Sequence, residues 1–247
     1  MENVSGIDTE AGRGPFPLKP VETLLFATEH VAAGTFRCAP DHPLFRDSGP
    51  SSTYCFVFPR TSVWIRHVAA TPYLGNPLRV ALYNEGQEYS RQPLSPDGDR
   101  SDWFAVAPVI LEEALATIDA APARGSHRLF TIPYVSGDAR LYLGQRQLQE
   151  HLARGVEGDT LGAEEAILGM LESVVTRMAT RPARDESALT QPQRDLAHAA
   201  AALVVSRVRA RLPIADLARA LDCSVFHLCR TFRRATGTTL HQFRSGQ

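Results

Sequence analysis

The stretch Leu212–Phe243, "LPIADLARALDCSVFHLCRTFRRATGTTLHQF", decides the fold of the C-terminal part of this chain. Pro213 suits the first turn of a helix, because its missing N–H would have no helical partner there in any case. Ser224 is a suitable N-cap for a second helix, and Gly237 is a suitable residue to end it. The stretch therefore predicts two helices joined by a tight turn, followed by the start of a third.

The two predicted helices each carry one apolar face. In the first helix, the side chains that we expect to be buried are Ile214, Leu217, Ala218 and Leu221. In the second helix they share the spacing i, i+3, i+7, i+10, and they are Val225, Leu228, Phe232 and Ala235. A different set, spaced i, i+3, i+4, i+7, must lie on the outer face: Phe226, Cys229, Arg230 and Arg233. Arginines and an aromatic ring on the outer face are typical of a DNA-reading helix-turn-helix, and the alternative is an ordinary surface hairpin of helices.

This stretch resembles the first helix-turn-helix of the AraC/XylS family of bacterial transcription regulators. The matching elements are Leu217-Ala218, Ser224, His227-Leu228, Arg230, Phe232-Arg233, Thr236-Gly237, Leu240 and Phe243. The resemblance covers about forty residues. It implies a sequence-specific regulator that binds DNA in the major groove and responds to a small-molecule effector, which the sequence leaves unknown.

The residues that we expect to bind DNA are Ser224, Phe226, Cys229, Arg230, Arg233 and Arg234. Carried over by position, Phe226, Cys229 and Arg230 face the bases, and the last two arginines lie nearer the phosphates. Arg230 can donate two hydrogen bonds to a guanine, and Phe226 can pack on a thymine methyl group or on the sugar backbone.

The chain departs from the family pattern in two places. Asp222 stands where the family usually has glycine, although aspartate tolerates a left-handed backbone better than most residues do. After "HQFRSGQ" we expect the second helix-turn-helix of the family to be missing. A single module makes fewer phosphate contacts, so we expect the monomer to bind DNA weakly. A homodimer could recover part of the lost affinity. The alternative function is a ligand-binding or dimerising module whose DNA binding is impaired.

The first hundred residues read as β-structure. In "TYCFVFP", Tyr54, Phe56 and Phe58 alternate with smaller side chains, which is the period-two pattern of a strand. "LRVALYNEGQEYSR" predicts a strand, a turn at Asn84–Gly86 and a return strand through Tyr89. "TLLFATEHVAAGTFRC" and "SVWIRHV" fit further strands, so this part predicts a sandwich or barrel. In the family layout this would be a cupin-like effector domain.

Helical spacing takes over after Pro108. In "AEEAILGMLESVVTRMATR" the predicted apolar stripe consists of Ile167, Met170, Leu171, Val174, Val175 and Met178. A second predicted helix begins near Asp138 and ends before Gly155. These helices either pack on the β-domain or pair with a second subunit, and the sequence does not choose between the two.

The predicted fold class is α+β, with four segments. They are a cupin-like β-barrel or sandwich (1–107), a helical packing or dimerisation segment (108–180), a linker (181–193) and an all-α DNA-binding module (194–247). The module and the last linker residue carry nine arginines and three aspartates, a formal charge of +6, whereas the rest of the chain carries 17 basic and 24 acidic residues, or −7. A basic segment on an acidic body indicates that one part meets a polyanion.

The composition favours a cytoplasmic protein. The N-terminus lacks the pattern of a secretory signal, and we expect no membrane association. The four cysteines form no CxxC pair, so we expect reduced thiols, and we expect no cofactor.

An enzymatic role is the weaker rival, because metal-binding cupins need clustered histidines. His30, His42 and His67 are isolated, so we expect neither a metal site nor an enzyme. The side chains that either line a ligand pocket or fill the core are Trp64, Trp103, Tyr83 and Tyr89.

Overall fold

A computed structural model of the protein describes residues 16–68, 70–118, 127–155, 159–180, 189–207 and 213–245. The strands are β1 (Glu22–Ala27), β2 (Val31–Cys38), β3 (Tyr54–Pro59), β4 (Val63–His67), β5 (Tyr73–Gly75), β6 (Arg79–Tyr83), β7 (Tyr89–Pro93), β8 (Asp99–Val106) and β9 (Tyr134–Ser136). The helices are α1 (Pro108–Ala116), α2 (Ala139–Ala153), α3 (Thr160–Ala179), α4 (Gln191–Ser206), α5 (Ile214–Ala220), α6 (Val225–Thr236) and α7 (Leu240–Ser245), with a short 3-10 helix at Pro43–Phe45.

The strands form two antiparallel sheets. The large sheet has six strands in the order β1-β2-β8-β3-β6-β9, and the small sheet has the order β5-β4-β7. One apolar cluster joins Phe36, Ala81 and Trp103 of the large sheet with Val63 and Ile65 of the small sheet. The two sheets therefore pack face to face, which confirms the prediction of a sheet-rich N-terminal part followed by helices.

Apolar clusters cover both faces of the large sheet, and β3 contributes to both because its side chains alternate as predicted. Phe56 stacks on Phe104 with ring centroids 5.3 Å apart, in the cluster that packs against α1, α2 and α3. The intervening Cys55 and Val57 lie against the cluster between the sheets. The middle helices thus pack on the β-domain, and pairing with a second subunit stays a prediction.

The predicted strand through Tyr89 is present, but it does not return along β6 as predicted. The chain does turn after β6, with Gly86 at φ 71°. β7 then pairs with β4 in the small sheet and not with β6. The neighbour of β6 on that side is instead β9, a strand within the segment 108–180 that the sequence pattern did not predict. The physical reason is that turn residues fix where a strand ends but not which sheet the next strand joins.

The two long middle helices agree with their predicted patterns. Asp138 caps α2 by accepting a hydrogen bond from the Leu141 N–H at 2.8 Å, and Gly155 follows the helix at φ 90°. Along α3, the stripe residues are buried except Met178, which is partly buried against the same cluster. Of the predicted linker, residues 181–188 lie outside the described residues, and α4 already begins at Gln191.

The C-terminal helices α4 to α7 form a third apolar cluster of their own. Leu217 of α5, Leu228 and Phe232 of α6 and Phe243 of α7 are its central side chains. The same cluster contains Trp64 and Leu74 of the small sheet, so the helices rest on the outer side of that sheet. None of the described helices is both long enough and apolar enough to cross a membrane.

Candidate nucleic-acid interface

Helices α5 and α6 are joined by a tight turn that local residues define. The Cys223 N–H donates to the Ala218 carbonyl at 3.0 Å, and Asp222 has the left-handed φ of 48°. The Ser224 Oγ accepts from the His227 N–H at 3.1 Å, which satisfies an N–H that the helix itself leaves free. Gly237 ends α6 at φ 74°. The predicted caps and the left-handed aspartate are confirmed.

The outer face of α6 presents an aromatic ring among arginines. Phe226 is 74% exposed, an unusual exposure for a phenylalanine. Arg230 and Arg233 are exposed beside it, and Cys229 is half-buried. These four side chains border an open groove of about 660 Å³, which Ile214 and His241 line from the neighbouring helices.

The arginines of α6 are free to take an external anion. Among the described residues, the guanidinium groups of Arg230, Arg233 and Arg234 have no acidic partner, whereas Arg219 on α5 pairs with Asp216 at 2.7 Å. Unpaired guanidinium groups keep their full capacity to bind phosphate or base edges. Arg234 also lines a small cleft against Trp64 and His198, so it faces the β-domain as well as the groove.

Two of the predicted core residues are wrong. Val225 is 39% exposed and Ile214 is 41% exposed, because each lies at the first position of its helix, where no described neighbour covers it. Thr231, absent from the predicted stripe, is buried instead. Because the exposed Ile214 lines the groove with Phe226, the groove is more apolar than the sequence pattern indicated.

The C-terminal helices are anchored to the β-domain by an aromatic stack and by a buried hydrogen bond, both of which sequence analysis missed. The indole of Trp64 stacks on the imidazole of His198 in α4, with ring centroids 3.6 Å apart. The Arg79 Nη2 of β6 donates to the Thr236 carbonyl at the end of α6, while its Nη1 donates to the Leu74 carbonyl at 3.1 Å. No local pattern marks either pair, because the partners lie more than a hundred residues apart in the chain.

A cavity of about 50 Å³ lies between the two sheets of the β-domain. Six of the side chains that line it are Phe36, Ile65, Tyr83, Tyr89, Arg91 and Trp103. For these aromatic residues the sequence left open whether they line a pocket or fill the core, and Tyr83, Tyr89 and Trp103 line this cavity. Trp64 instead belongs to the core, because alternation along β4 directs its side chain to the opposite face, against His198.

Histidines and cysteines of the β-domain serve local contacts. His67 is buried between Tyr73 and Tyr83, with ring centroids 5.6 and 5.0 Å away. The His42 Nδ1 accepts from the Leu44 N–H at 3.1 Å. The four cysteines are free thiols, and burial raises the pKa of Cys55 to about 12. Over the described ranges, no three histidine, cysteine or acidic side chains come together as a metal site would require.

Comparisons with known proteins agree with the geometry of the C-terminal helices. Residues 210–245 match the family of bacterial regulatory helix-turn-helix proteins of the AraC type. A search of the curated proteins finds no match.

Several solved structures resemble the fold at low sequence identity. The AraC-like transcriptional activator CuxR has a TM-score of 0.38 and 12% identity, over 87% of this chain and 73% of its own. Wild-type ToxT from Vibrio cholerae, bound to an unsaturated fatty acid, has a TM-score of 0.41 and 8% identity, over 88% and 95%. HEPD from Streptomyces albus, with 2-hydroxyethylphosphonate and Fe(II), has a TM-score of 0.26 and 14% identity, over 84% and 42%. These TM-scores are too low to establish a shared fold along the whole chain.

The turn geometry, the caps, the exposed arginines and the family match all concern the same few helices. Residues 210–245 are therefore a DNA-binding helix-turn-helix domain of the AraC type, of which the structure describes residues 213–245.

Proposed function

We propose that this protein is a sequence-specific transcription regulator that reads DNA with α6 and responds to a small-molecule effector bound in its β-domain. The observation that carries the proposal is the outer face of α6. A phenylalanine that is 74% exposed and arginines without acidic partners stand on the second helix of a helix-turn-helix. In such motifs, this helix lies in the major groove.

The exposed side chains of α6 suit distinct roles on DNA. Arg230 lies on the first turns of the helix, where a guanidinium group can bond both acceptors of a guanine edge. Phe226 offers an apolar surface to a thymine methyl group. Arg233 and Arg234 are placed to contact phosphates, and the exposed Ser224 hydroxyl can do so as well, because its lone pair and not its proton is used in capping.

The route from effector to DNA passes through strand β4. Ile65 lines the cavity between the sheets, and its neighbour Trp64 packs on His198 on the opposite face. A ligand that displaces Ile65 therefore moves a residue whose chain neighbour supports the helix-turn-helix. The effector then shifts the population between DNA-competent and DNA-incompetent arrangements toward the one that it binds more tightly.

The proposed regulator acts in the bacterial cytoplasm, where its DNA is, and has no catalytic role. A homodimer belongs to the same proposal, because a second linked copy raises the effective concentration of the recognition helix at a repeated site. The α6 geometry and the family match support the DNA-binding part of the proposal, whereas the dimer rests on physical expectation.

The test is selection from a pool of random-sequence duplexes, followed by fluorescence anisotropy at two salt concentrations with the selected sequence and a scrambled one. We expect selective binding that weakens steeply with salt. Arg230→Ala should lose about 1–3 kcal/mol of discrimination at one base pair. The control is Arg219→Ala, which removes another exposed arginine, one that lies on α5 and pairs with Asp216. Equal binding of both duplexes by the wild-type protein would contradict sequence-specific reading.

A further inference from the structure

The lining of the cavity between the sheets includes two cationic side chains, Arg91 and Lys19. Arg91 of β7 is 3% exposed, and its Nη2 donates to the Ser48 Oγ at 2.6 Å and to the Leu44 carbonyl at 2.9 Å. The Lys19 Nζ donates to the Ser48 carbonyl at 2.5 Å. Two cations of the cavity lining, from distant parts of the chain, thus form hydrogen bonds with the same residue, Ser48.

The guanidinium group of Arg91 is not fully satisfied. Its Nη1 donates to Asp99 Oδ2 at 2.6 Å, and its plane lies over the ring of Phe36, with the guanidinium carbon 4.3 Å from the centroid. Its Nε–H is buried and has no acceptor among the described residues. A buried donor on a charged group that lacks an acceptor is costly, so a ligand oxygen would be strongly favoured there.

The carboxylates near Arg91 and Lys19 do not cancel both cations. Asp99 is shared between Arg91 and the Ser101 hydroxyl, which donates to it at 2.6 Å. Glu22 accepts from the backbone N–H of Lys19 at 2.8 Å, but among the described residues no carboxylate forms an ion pair with the Lys19 Nζ. Burial raises the pKa of Glu22 and lowers that of Lys19, so burial favours the neutral forms of both groups. A bound anion would pair with the Lys19 ammonium group and favour its charged form.

Much of the remaining wall is apolar, although Ser51, Ser52 and Thr53 also line the cavity. Ile65 of the small sheet faces Val57 and Trp103 of the large sheet, and Leu18 closes the cavity from the segment before β1. A ligand that fits must therefore carry one anionic group and an apolar body. The volume of about 50 Å³ is smaller than a six-carbon chain, so binding of such a chain requires the non-sheet segment 16–21 to move outward.

We propose that this cavity binds a small organic carboxylate, whose oxygens accept from the Nε of Arg91 and from Lys19 and whose apolar body lies between Ile65 and Trp103. The assignment rests on the proposed function in one respect, since it names the chemical class of the effector. It concerns ligand binding alone, so it is tested without DNA.

The first experiment is isothermal titration calorimetry of the full chain with hexanoate, 1-hexanol and hexylammonium, which share one body and differ in charge. We expect hexanoate to bind at least about tenfold more tightly than hexanol, because charge-assisted hydrogen bonds are the stronger kind. Lys19→Gln should weaken hexanoate binding about tenfold and leave hexanol binding unchanged. Arg66→Gln is the matched control, since Arg66 is exposed on β4 and does not line the cavity.

The second experiment uses the fact that Lys19 is the only lysine of the chain. An acetylating reagent modifies this amine and the N-terminal amine, and mass spectrometry follows both. Hexanoate should slow acetylation of Lys19 several-fold relative to the N-terminus, and hexanol should not. This readout needs no variant of Arg91, whose substitution would threaten the fold.

Equal affinity for hexanoate and hexanol, or unprotected Lys19 at saturating hexanoate, would overturn the carboxylate site. Failure of DNA binding with intact hexanoate binding would refute the regulator and leave this site standing.

Discussion

The indole of Trp64 and the imidazole of His198 lie almost parallel, with planes 5° apart and centroids separated by 3.6 Å. Trp64 belongs to the small sheet and His198 to the first C-terminal helix, so this stack joins the β-domain to the helices that carry the helix-turn-helix. Ile65, the next residue along β4, lines the cavity. A ligand that displaces Ile65 would therefore affect the C-terminal helices through this stack.

We predict that the Trp64–His198 stack contributes a coupling free energy of about 0.5–1.5 kcal/mol, as aromatic pairs do beyond the area they bury. The measurement is a double-mutant cycle of Trp64→Ala and His198→Ala, with the free energy of unfolding taken from urea titration. The control cycle combines Trp64→Ala with Leu143→Ala, because Leu143 is exposed on α2. Additivity in the first cycle would show that the rings meet without stabilising each other.

Arg79 is the second tie between the β-domain and the C-terminal helices. It is 4% exposed, lies over the ring of Tyr134 at 4.1 Å and donates to the carbonyls of Leu74 and Thr236. We predict that Arg79→Met lowers the free energy of unfolding by about 2–3 kcal/mol, because a hydrogen bond to a charged donor is lost and a buried carbonyl loses its partner.

Arg79→Lys separates charge from geometry, since lysine keeps the charge and loses the planar fork. We expect it to recover less than half of the loss, and hydrogen exchange should show faster opening at the end of α6. Full recovery by lysine would mean that the charge alone matters.

The helix-turn-helix could be predicted almost completely from the sequence because its determinants are local. Ser224, Gly237 and the left-handed Asp222 act within a few residues of their own positions. The errors, Ile214 and Val225, are both first residues of helices, where an apolar side chain can face away from the core without breaking the spacing pattern.

The pairing of strands and the ties between segments could not be predicted in the same way. The strand through Tyr89 was predicted, but its place in the small sheet depends on pairing with β4, which ends at His67, well before Tyr89 in the chain. No pattern in the sequence around Trp64 indicates its contact with His198, and none around Arg79 indicates its contact with Thr236. Such contacts depend on how whole sheets and helices pack together, and no periodic pattern in a single sequence predicts them.

We predict that acid destabilises the β-domain through His67. Burial, and secondarily the charge of Arg128, lowers the pKa of His67 from 6.5 to about 4, and the Gln87 Nε2 donates to its Nδ1 at 2.6 Å. Because the folded pKa lies below the unfolded one, the stabilisation is complete above pH 6.5 and is lost as the pH falls toward about 4. The full loss amounts to about 3 kcal/mol.

The measurement for His67 is the urea midpoint between pH 7.5 and 4.5 in wild-type protein and His67→Gln. The variant should be less sensitive to acid across this range, because glutamine does not titrate. His241→Gln, at an exposed position on α7, is the control and should follow the wild-type curve. An identical pH dependence in wild-type protein and His67→Gln would rule out this histidine as the cause.

We predict that Arg233 and Phe226 affect DNA binding in different ways without changing stability. Arg233→Ala should weaken binding to all duplexes alike and reduce the slope of log K against log salt by about one, because one phosphate contact is lost. Phe226→Ala should weaken binding to the selected duplex more than to a scrambled one, with little change in slope. Arg100→Ala, which removes the same charge from the exposed surface of β8, is the control and should change neither quantity. A lower slope for Phe226→Ala would point to an indirect effect on phosphate contacts.

Finally, we predict that Asp222→Gly stabilises the helix-turn-helix. Asp222 is the one described non-glycine residue with positive φ, at 48°, a conformation in which a Cβ crowds the backbone and glycine does not. The gain should be about 0.5–1 kcal/mol in the free energy of unfolding measured by urea titration. Asp216→Gly is the matched control in the neighbouring helix, where glycine should cost a similar amount, because the native backbone there is helical. If Asp222→Gly destabilises the protein instead, the aspartate side chain must stabilise the turn by more than its left-handed backbone costs.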